Sequence, residues 1–231
     1  MQNDALTSIH HFNPYTRDTW VKRKAATVAP GSKVLDAGAG TCQYRHLFNH
    51  CEYKAQDFMQ YDGFRSRYGK MDFVSPIDQI PVEDCYFDAI LCTEVLEHVP
   101  EPIAAIRELS RILKPGGRIF VTAPLGSGLH QRPYHFYGGY TPEWYGRFFS
   151  QFQLELVEIT PNGGFFKHLA QECARVAWTF EKHRHLHGDK ADEMFTLFNE
   201  TLPTYLYHLD DKCFIEDFTV GYHVEGRKQD V

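Results

Sequence analysis

The 231-residue sequence predicts an α/β fold, a mostly parallel sheet flanked by helices. Three observations carry that prediction. Between about Lys33 and Ala123, short apolar runs alternate with amphipathic segments, the rhythm of strands joined by helical crossovers. A glycine-rich bend follows the first apolar run directly, and an acidic residue closes the second. The hydrophobic fraction of 43% and the charged fraction of 23% are those of an ordinary globular chain, which excludes disordered and fibrous classes.

The elements follow in order. Lys33-Val34-Leu35-Asp36, after the Pro30-Gly31 turn, is a first strand, and the bend after it leads into a helical stretch to about His50. Tyr53 to Gln56 is a second strand and Phe73-Val74 a weaker third. Phe87 to Cys92 is apolar on both faces, as a central parallel strand requires. Pro102 opens a helix on which Ile103, Ile106, Leu109, Ile112 and Leu113 form one stripe. Lys114-Pro115-Gly116-Gly117 stops it, and Arg118 to Ala123 is the fifth strand. Pro124 to Tyr140, dense in Gly, Pro, Tyr and His, has the length of an active-site loop. Thr141 then caps a helix with Pro142 in its first turn. Gln153 to Ile159 and Phe218 to Glu225 alternate as strands, and the stretch between them, about Phe166 to Tyr207, reads as helical.

Charge and composition exclude several functions. With 24 Lys+Arg against 30 Asp+Glu the net charge is −6, which argues against general nucleic-acid binding. No run approaches the ~18 apolar residues of a membrane span. Met1 to Ala5 lacks the basic start and apolar core of a signal peptide, so a cytoplasmic location is expected. Cys42, Cys51, Cys85, Cys92, Cys173 and Cys213 contain no C-x-x-C pair and are expected as reduced, mostly buried thiols. Lys22-Arg23-Lys24 reads as a surface face of a lead helix, and His183, His185 and His187 as a solvated helix end. Trp178, Phe180, Phe195, Phe198, Tyr205 and Tyr207 are expected to pack.

The bend itself, Asp36-Ala37-Gly38-Ala39-Gly40-Thr41, joins strand to helix. Glycines let the backbone turn sharply and let a ligand approach it. A dinucleotide loop needs a third glycine at position 43, where this chain has Gln43, and Asp36 is a poor neighbour for phosphate but a good one for ammonium. Asp57, 21 residues after Asp36, closes the second strand, where an acidic side chain can take both ribose hydroxyls. A phosphate-free nucleoside with an amino-acid tail, S-adenosylmethionine, satisfies all of these features. Together with Phe87 to Val99 (FDAILCTEVLEHV) and Leu113-Lys114-Pro115-Gly116-Gly117, these residues resemble the class I S-adenosylmethionine-dependent methyltransferases, in the methyltransferase-11/UbiE-like group. The resemblance covers roughly Val34 to Pro124.

The resemblance implies a Rossmann-like, seven-stranded, mostly parallel sheet with one antiparallel strand. The chain as a whole reads as a single domain over 1–231: a lead helix in 1–30, a cofactor-binding core in 31–125, a substrate loop in 126–150 and a cap-like helical insertion in 162–212 before the last strand. On the resemblance, Gly38, Ala39 and Gly40 pass beneath the methionine tail, with Asp36 orienting the loop and the amino group. Asp57 holds the ribose diol, Phe58 lies against adenine, and Cys92 and Thr93 stand near the methionine part. Tyr15 or Arg17 is the candidate for the cofactor carboxylate. Where relatives place an adenine-binding aspartate this chain has Pro76, leaving the Ile77 backbone N–H, with Asp72 or Asp78 as substitute carboxylates.

The implied reaction is in-line displacement onto a small hydroxylated or amino acceptor, O-methylation favoured, with S-adenosylhomocysteine as product. His135 is the first candidate base and His98 the second. No metal is assigned, but Glu94, Glu97 and His98, at i, i+3 and i+4 of a helix, resemble the E-x-x-E-H of metal-binding O-methyltransferases, with His130 or His135 to complete the set. The alternatives are a non-catalytic S-adenosylmethionine-binding protein and an NAD-dependent oxidoreductase, the latter disfavoured by Gln43. No membrane or nucleic-acid partner is expected, and oligomeric state is open.

Overall fold

Seven strands form one sheet in the order β3-β2-β1-β4-β5-β7-β6 in the computed structural model, which describes residues 9–186 and 188–230. The strands are β1 (Lys33–Ala37), β2 (Glu52–Asp57), β3 (Phe73–Val74), β4 (Phe87–Thr93), β5 (Leu113–Pro124), β6 (Leu154–Pro161) and β7 (Gly221–Lys228). From β3 through β5 every pairing is parallel, whereas β7 runs antiparallel to β5. Because β1 lies between β2 and β4, the chain's direction of winding reverses there. The ends of these strands, Ala37, Asp57 and Thr93, therefore flank the crevice where open α/β sheets bind ligands.

Period-two alternation distributes the core over both faces of the sheet. Leu35, Ile90, Ile119 and Val121 pack against Ile106, Leu109 and Ile112 of α2 (Pro102–Ile112) and against Tyr145 and Phe149 of α3 (Pro142–Gln151). Val34, Ala89, Leu91 and Phe120 face the other way, onto Trp20, Val21 and Ala25 of α1 (Phe12–Ala25) and onto Phe48. Each fully buried Val, Leu, Ile or Phe side chain among them stabilises the fold by about 1.5–3 kcal/mol. Thr141 caps α3 as expected, its hydroxyl accepting from Trp144 N–H at 3.3 Å.

The chain divides into two compact units. One holds the sheet, comprising Thr19–Thr160 and the strand from Gly221 onward. The other joins the described residues up to Asp18 with Pro161–Val220. It contains α4 (Phe165–Lys182), α5 (Ala191–Thr196) and α6 (Leu202–Asp210), so the helical stretch does precede the last strand. Asn162 bonds to Thr16 and to Asn13 Oδ1 in this second unit, and Phe12 meets Tyr207 edge-on at 6.0 Å.

Several expectations are corrected. The helix drawn to His50 is a series of turns ending in one 3-10 turn, Arg45–Phe48, because Gly40 and Cys42 take positive φ (50° and 56°) and interrupt helical geometry. Between α4 and α5 the described residues leave α-helical geometry for 3-10 turns, Arg184–Leu186 and Gly188–Lys190. Lys24 is not on a surface face. It is buried, and its Nζ lies 2.6 Å from both Glu158 and Glu225, with Arg118 2.8 Å from Glu225. Burial opposes ionisation of Glu158, yet bonds from Lys24, Trp20 and Thr160 outweigh it and hold the carboxyl at about 2. Of the six thiols Cys92 is buried while Cys85 and Cys213 are exposed, so most are not core residues. Trp178 and Tyr205 are exposed, although Phe180 and Phe198 do pack, at 5.6 Å. His183 and His185 lie in an exposed turn at the end of α4; His187 and Met1 to Ala5 lie outside the described residues. Among the described residues no helix is long and apolar enough to cross a membrane.

Candidate functional site

The glycine turn is built on β2. Gly38 N–H and Ala39 N–H both donate to the Gln56 carbonyl at 2.9 Å, and Gly38 N–H also approaches Gln56 Oε1 at 3.2 Å. Gln56 Nε2 donates to the Ser75 carbonyl at 2.6 Å, so one side chain ties the turn to the segment after β3. Gly40 N–H donates to Asp57 Oδ2 at 3.0 Å, and Met59 N–H to Oδ1 at 2.9 Å. Burial pushes the Asp57 carboxyl above the usual range, and these backbone bonds act against that. Two backbone donors leave a carboxylate with further lone pairs, so Asp57 can still accept from a diol. Both glycines are at positive φ, 72° and 50°. A Cβ at Gly38 would overlap the Val95 side chain, whereas one at Gly40 would meet only the Phe64 ring, at 3.6 Å.

Asp36 is buried, and the Tyr53 hydroxyl donates to its Oδ2 at 2.6 Å. Desolvation dominates and lifts the carboxyl to about 6; Tyr53 and Arg45 pull it down, and Asp57 pushes it up. The Arg45 guanidinium stands 4.6 Å over the Tyr53 ring. Neither Tyr53, Arg45 nor Gln56 has a sequence signal, since each acts through the register of neighbouring strands. Phe58 meets Tyr134 of the long loop edge-on at 5.0 Å. Pro76 is exposed and Ile77 buried. Asp72 is engaged elsewhere, accepting from Ala55 N–H at 3.0 Å, while Asp78 is partly buried. Cys92 is buried at the end of β4, where burial raises its thiol pKa, and Thr93 is partly exposed. Tyr15 is exposed, on α1 within the helical unit.

A second constellation lies after β4. Residues 94–98 do not form a helix: Glu94 takes φ 53°, and only Leu96–His98 make a 3-10 turn. Glu94 is drawn off to Thr122, whose hydroxyl donates to its Oε1 at 2.8 Å. The ligand-capable atoms that converge are instead those of Glu97, His98 and His130, all within 4.8 Å of one another. His98 Nδ1 lies 2.5 Å from the Tyr134 carbonyl, and His130 Nδ1 2.9 Å from that of Gly128. A carbonyl only accepts, so each Nδ1 carries a proton, and in the neutral His98 imidazole Nε2 presents a lone pair. His98 Nε2 is buried without a hydrogen bond, 3.6 Å from Glu97 Oε1. Burial, followed by its histidine neighbours, holds the His98 imidazole down at about 4 against the Tyr134 bond, so at neutral pH no imidazolium proton relieves that contact. His135 stacks beside His130 at 4.5 Å, its Nε2 3.1 Å from Ser127 Oγ, and burial lowers its pKa too.

The loop bearing these histidines is fastened down. Phe136 and Tyr137 N–H donate to the Glu97 carbonyl at 2.9 and 3.2 Å, and the Tyr140 hydroxyl to that of Leu96 at 2.6 Å. His130 and His135 thereby sit over the 3-10 turn that carries Glu97 and His98.

Comparison with known proteins bears on the family and the fold. Residues 35–121 match the family model described as a methyltransferase domain. The ubiquinone biosynthesis O-methyltransferase of Acinetobacter baumannii (strain ACICU) is 29% identical over 133 residues, 52% of this chain and 54% of that one. The chain thus spans about half the length of the curated relative it matches. Burkholderia thailandensis 1,6-didemethyltoxoflavin-N1-methyltransferase, solved with bound 1,6-didemethyltoxoflavin and S-adenosylhomocysteine, aligns at a TM-score of 0.54 and 16% identity, over 99% of this chain and 87% of that one. The [4+2]-cyclase SpnF aligns at 0.56 and 19%, over 92% and 80%. At such identities the likeness is one of fold, and a cyclase among the neighbours shows that this fold does not by itself select a reaction. The expected Rossmann-like sheet is borne out in full, and the resemblance to class I methyltransferases over residues 35–121.

Proposed function

We propose that this chain is an S-adenosylmethionine-dependent methyltransferase acting on a small hydroxylated acceptor by direct in-line displacement. The observation that carries the reading is the glycine turn at positive φ, bonded to Asp57 and Gln56 with the buried carboxylate of Asp36 beneath it. Those groups suit a cationic, phosphate-free nucleoside: Asp57 for the ribose hydroxyls, Asp36 for the ammonium, Phe58 and the Ile77 backbone for adenine. Cys92 and Thr93 stand at the end of β4, beside that turn across the sheet. S-adenosylmethionine brings a methyl group already activated by its sulfonium, so the chain's own task is to orient the acceptor, exclude water and deal with one proton.

The fastened loop supplies the orientation, and the histidines the proton chemistry. His135 and His98 are both neutral at pH 7 by the direction of their shifts, the form that accepts a proton. A second role for the cluster is favoured by His98 Nε2, which is buried without a hydrogen bond and lies 3.6 Å from Glu97 Oε1. Glu97, His98 and His130 fit a divalent cation, with Tyr134 and Gly128 carbonyls fixing the imidazole tautomers from behind. Such an ion would lower the pKa of an acceptor hydroxyl, which is why O-methylation is preferred to N-methylation.

Calorimetry with S-adenosylmethionine and with NAD tests the cofactor assignment, and release of S-adenosylhomocysteine over a panel of phenols, sugars and amines tests the chemistry. Binding of the first ligand only, with turnover on a hydroxylated compound, is expected. Binding without turnover on any acceptor leaves the non-catalytic alternative standing, and NAD binding overturns the assignment. Exhaustive chelation should abolish O-methyl transfer while cofactor binding persists; undiminished activity removes the cation.

A further inference from the structure

Asp36 is the buried charge of the turn, and its geometry is set by a residue with no counterpart in the motif. Tyr53 lies on β2, in register with Val34 and two residues before the partner of Asp36. Its hydroxyl reaches diagonally across the strands to Asp36 Oδ2, at 2.6 Å. The phenol is itself held. Arg45 lies over its ring at 4.6 Å, Phe48 stands 6.1 Å from it, and Arg45 Nη2 is anchored 2.9 Å from the Lys70 carbonyl. Asp36 Oδ1 makes no hydrogen bond among the described residues.

We propose that Tyr53 is a positioning residue for the cofactor: its hydroxyl holds Oδ2 of Asp36, which commits Oδ1 to a cationic amine, while Arg45 seated over the ring keeps the phenol in place. This rests on the cofactor reading above. A carboxylate on a short side chain rotates freely unless one oxygen is held, and a short O–H···O⁻ bond holds it while favouring the ionised form. That second effect matters here because burial works the other way. The groups facing Asp36 are Tyr53 and Asp57 on β2, Arg45 in the turn, and the thiol of Cys92 on β4; of the charged ones Arg45 favours ionisation and Asp57 opposes it. Without the phenol the carboxyl keeps its proton to higher pH, and a protonated acid cannot pair with an ammonium. Tyr53 thus governs both where the charge points and how much of it is present near neutral pH.

The test is calorimetry of the full chain with S-adenosylmethionine between about pH 5.5 and 8.5, for wild type, Tyr53→Phe and Asp36→Asn. Wild-type affinity should rise through about pH 6 and Asp36→Asn should be weak and flat. Tyr53→Phe should bind about five- to tenfold more weakly at pH 7, with its profile displaced upward by about half a pH unit or more. Carboxyl carbon NMR of the ligand-free proteins supplies an independent readout, in which Tyr53→Phe raises the titration of Asp36. A Tyr53→Phe profile that coincides with wild type, or lies below it by a constant factor at every pH, overturns the inference. If Asp36 titrates higher in Tyr53→Phe but the wild type binds no S-adenosylmethionine, the cofactor reading has failed and the proposed role falls with it. An unmoved Asp36 titration refutes the Tyr53 role alone.

Discussion

At residue scale, Gly38 and Gly40 look equivalent in the sequence, yet they serve different ends. Both require left-handed backbone, which costs a residue with a Cβ about 1–2 kcal/mol. At Gly38 the added atom also drives into Val95, and overpacking a closed site costs about 1–3 kcal/mol more. At Gly40 the Phe64 ring stands at ordinary contact distance, 3.6 Å. Gly38→Ala should therefore lower the unfolding free energy in urea by about 2–5 kcal/mol and Gly40→Ala by only about 1–2 kcal/mol. Adding Val95→Ala to Gly38→Ala should recover part of the loss, and equal costs at the two glycines would count against this account. The glycines and Asp57 were legible because a tight turn and a strand end restrict residue type locally. Tyr53, Arg45 and Gln56 were not, because their partners are chosen by strand register. Glu94 misled for a related reason: E-x-x-E-H reads as one helical face, and a positive φ at a glutamate carries no sequence signature.

Elements were legible in proportion to their periodicity. The central strands and α2 stand where their patterns put them, except that Leu113 of the expected stripe already opens β5 and Ile103 is exposed, whereas the stretch after the glycine bend is interrupted by positive φ at Gly40 and Cys42. Helix α4 shows what pattern alone leaves out. Its N-cap is Gly164, which has no side chain to offer, so the orphan donors of its first turn need another acceptor. Asp210, buried at the end of α6, provides it. Its carboxylate accepts from Gly164, Phe166 and Lys167 N–H at 2.9, 3.1 and 3.2 Å. The cap is thus borrowed from a helix more than forty residues away, and a negative charge there also suits the helix dipole. Asp210→Ala should cost about 2–3 kcal/mol, since it leaves the buried Gly164 N–H and the partly buried Phe166 and Lys167 N–H groups without this acceptor. Asp210→Asn, which keeps an acceptor but not the charge, should lose less. Thermal unfolding gives the ordering, and faster amide exchange at 164–168 locates it; a wild-type melting curve for Asp210→Ala would refute the borrowed cap.

At the scale of the whole molecule, the two units differ in what ligand binding can stabilise. Asp36, Gly38, Gly40, Asp57, Phe58, Ile77, Cys92 and Thr93 all belong to the sheet-bearing unit, as do Glu97, His98, His130 and His135. Tyr15 belongs to the other. A ligand stabilises only those openings that release it, by about 2.7 kcal/mol at a hundred times its dissociation constant. A chain of two compact units need not unfold as one, so that stabilisation need not reach both. Saturating S-adenosylmethionine should therefore slow amide exchange by up to about 100-fold in 33–57 and 87–124. Exchange in 165–210 should stay as it was. Protection at the first turn of α1 would bring Tyr15 into the binding site, and its absence would leave the cofactor carboxylate to residues of the sheet-bearing unit. Equal protection of both units would show that they open together, and no protection in 33–57 would remove the glycine turn from cofactor binding altogether.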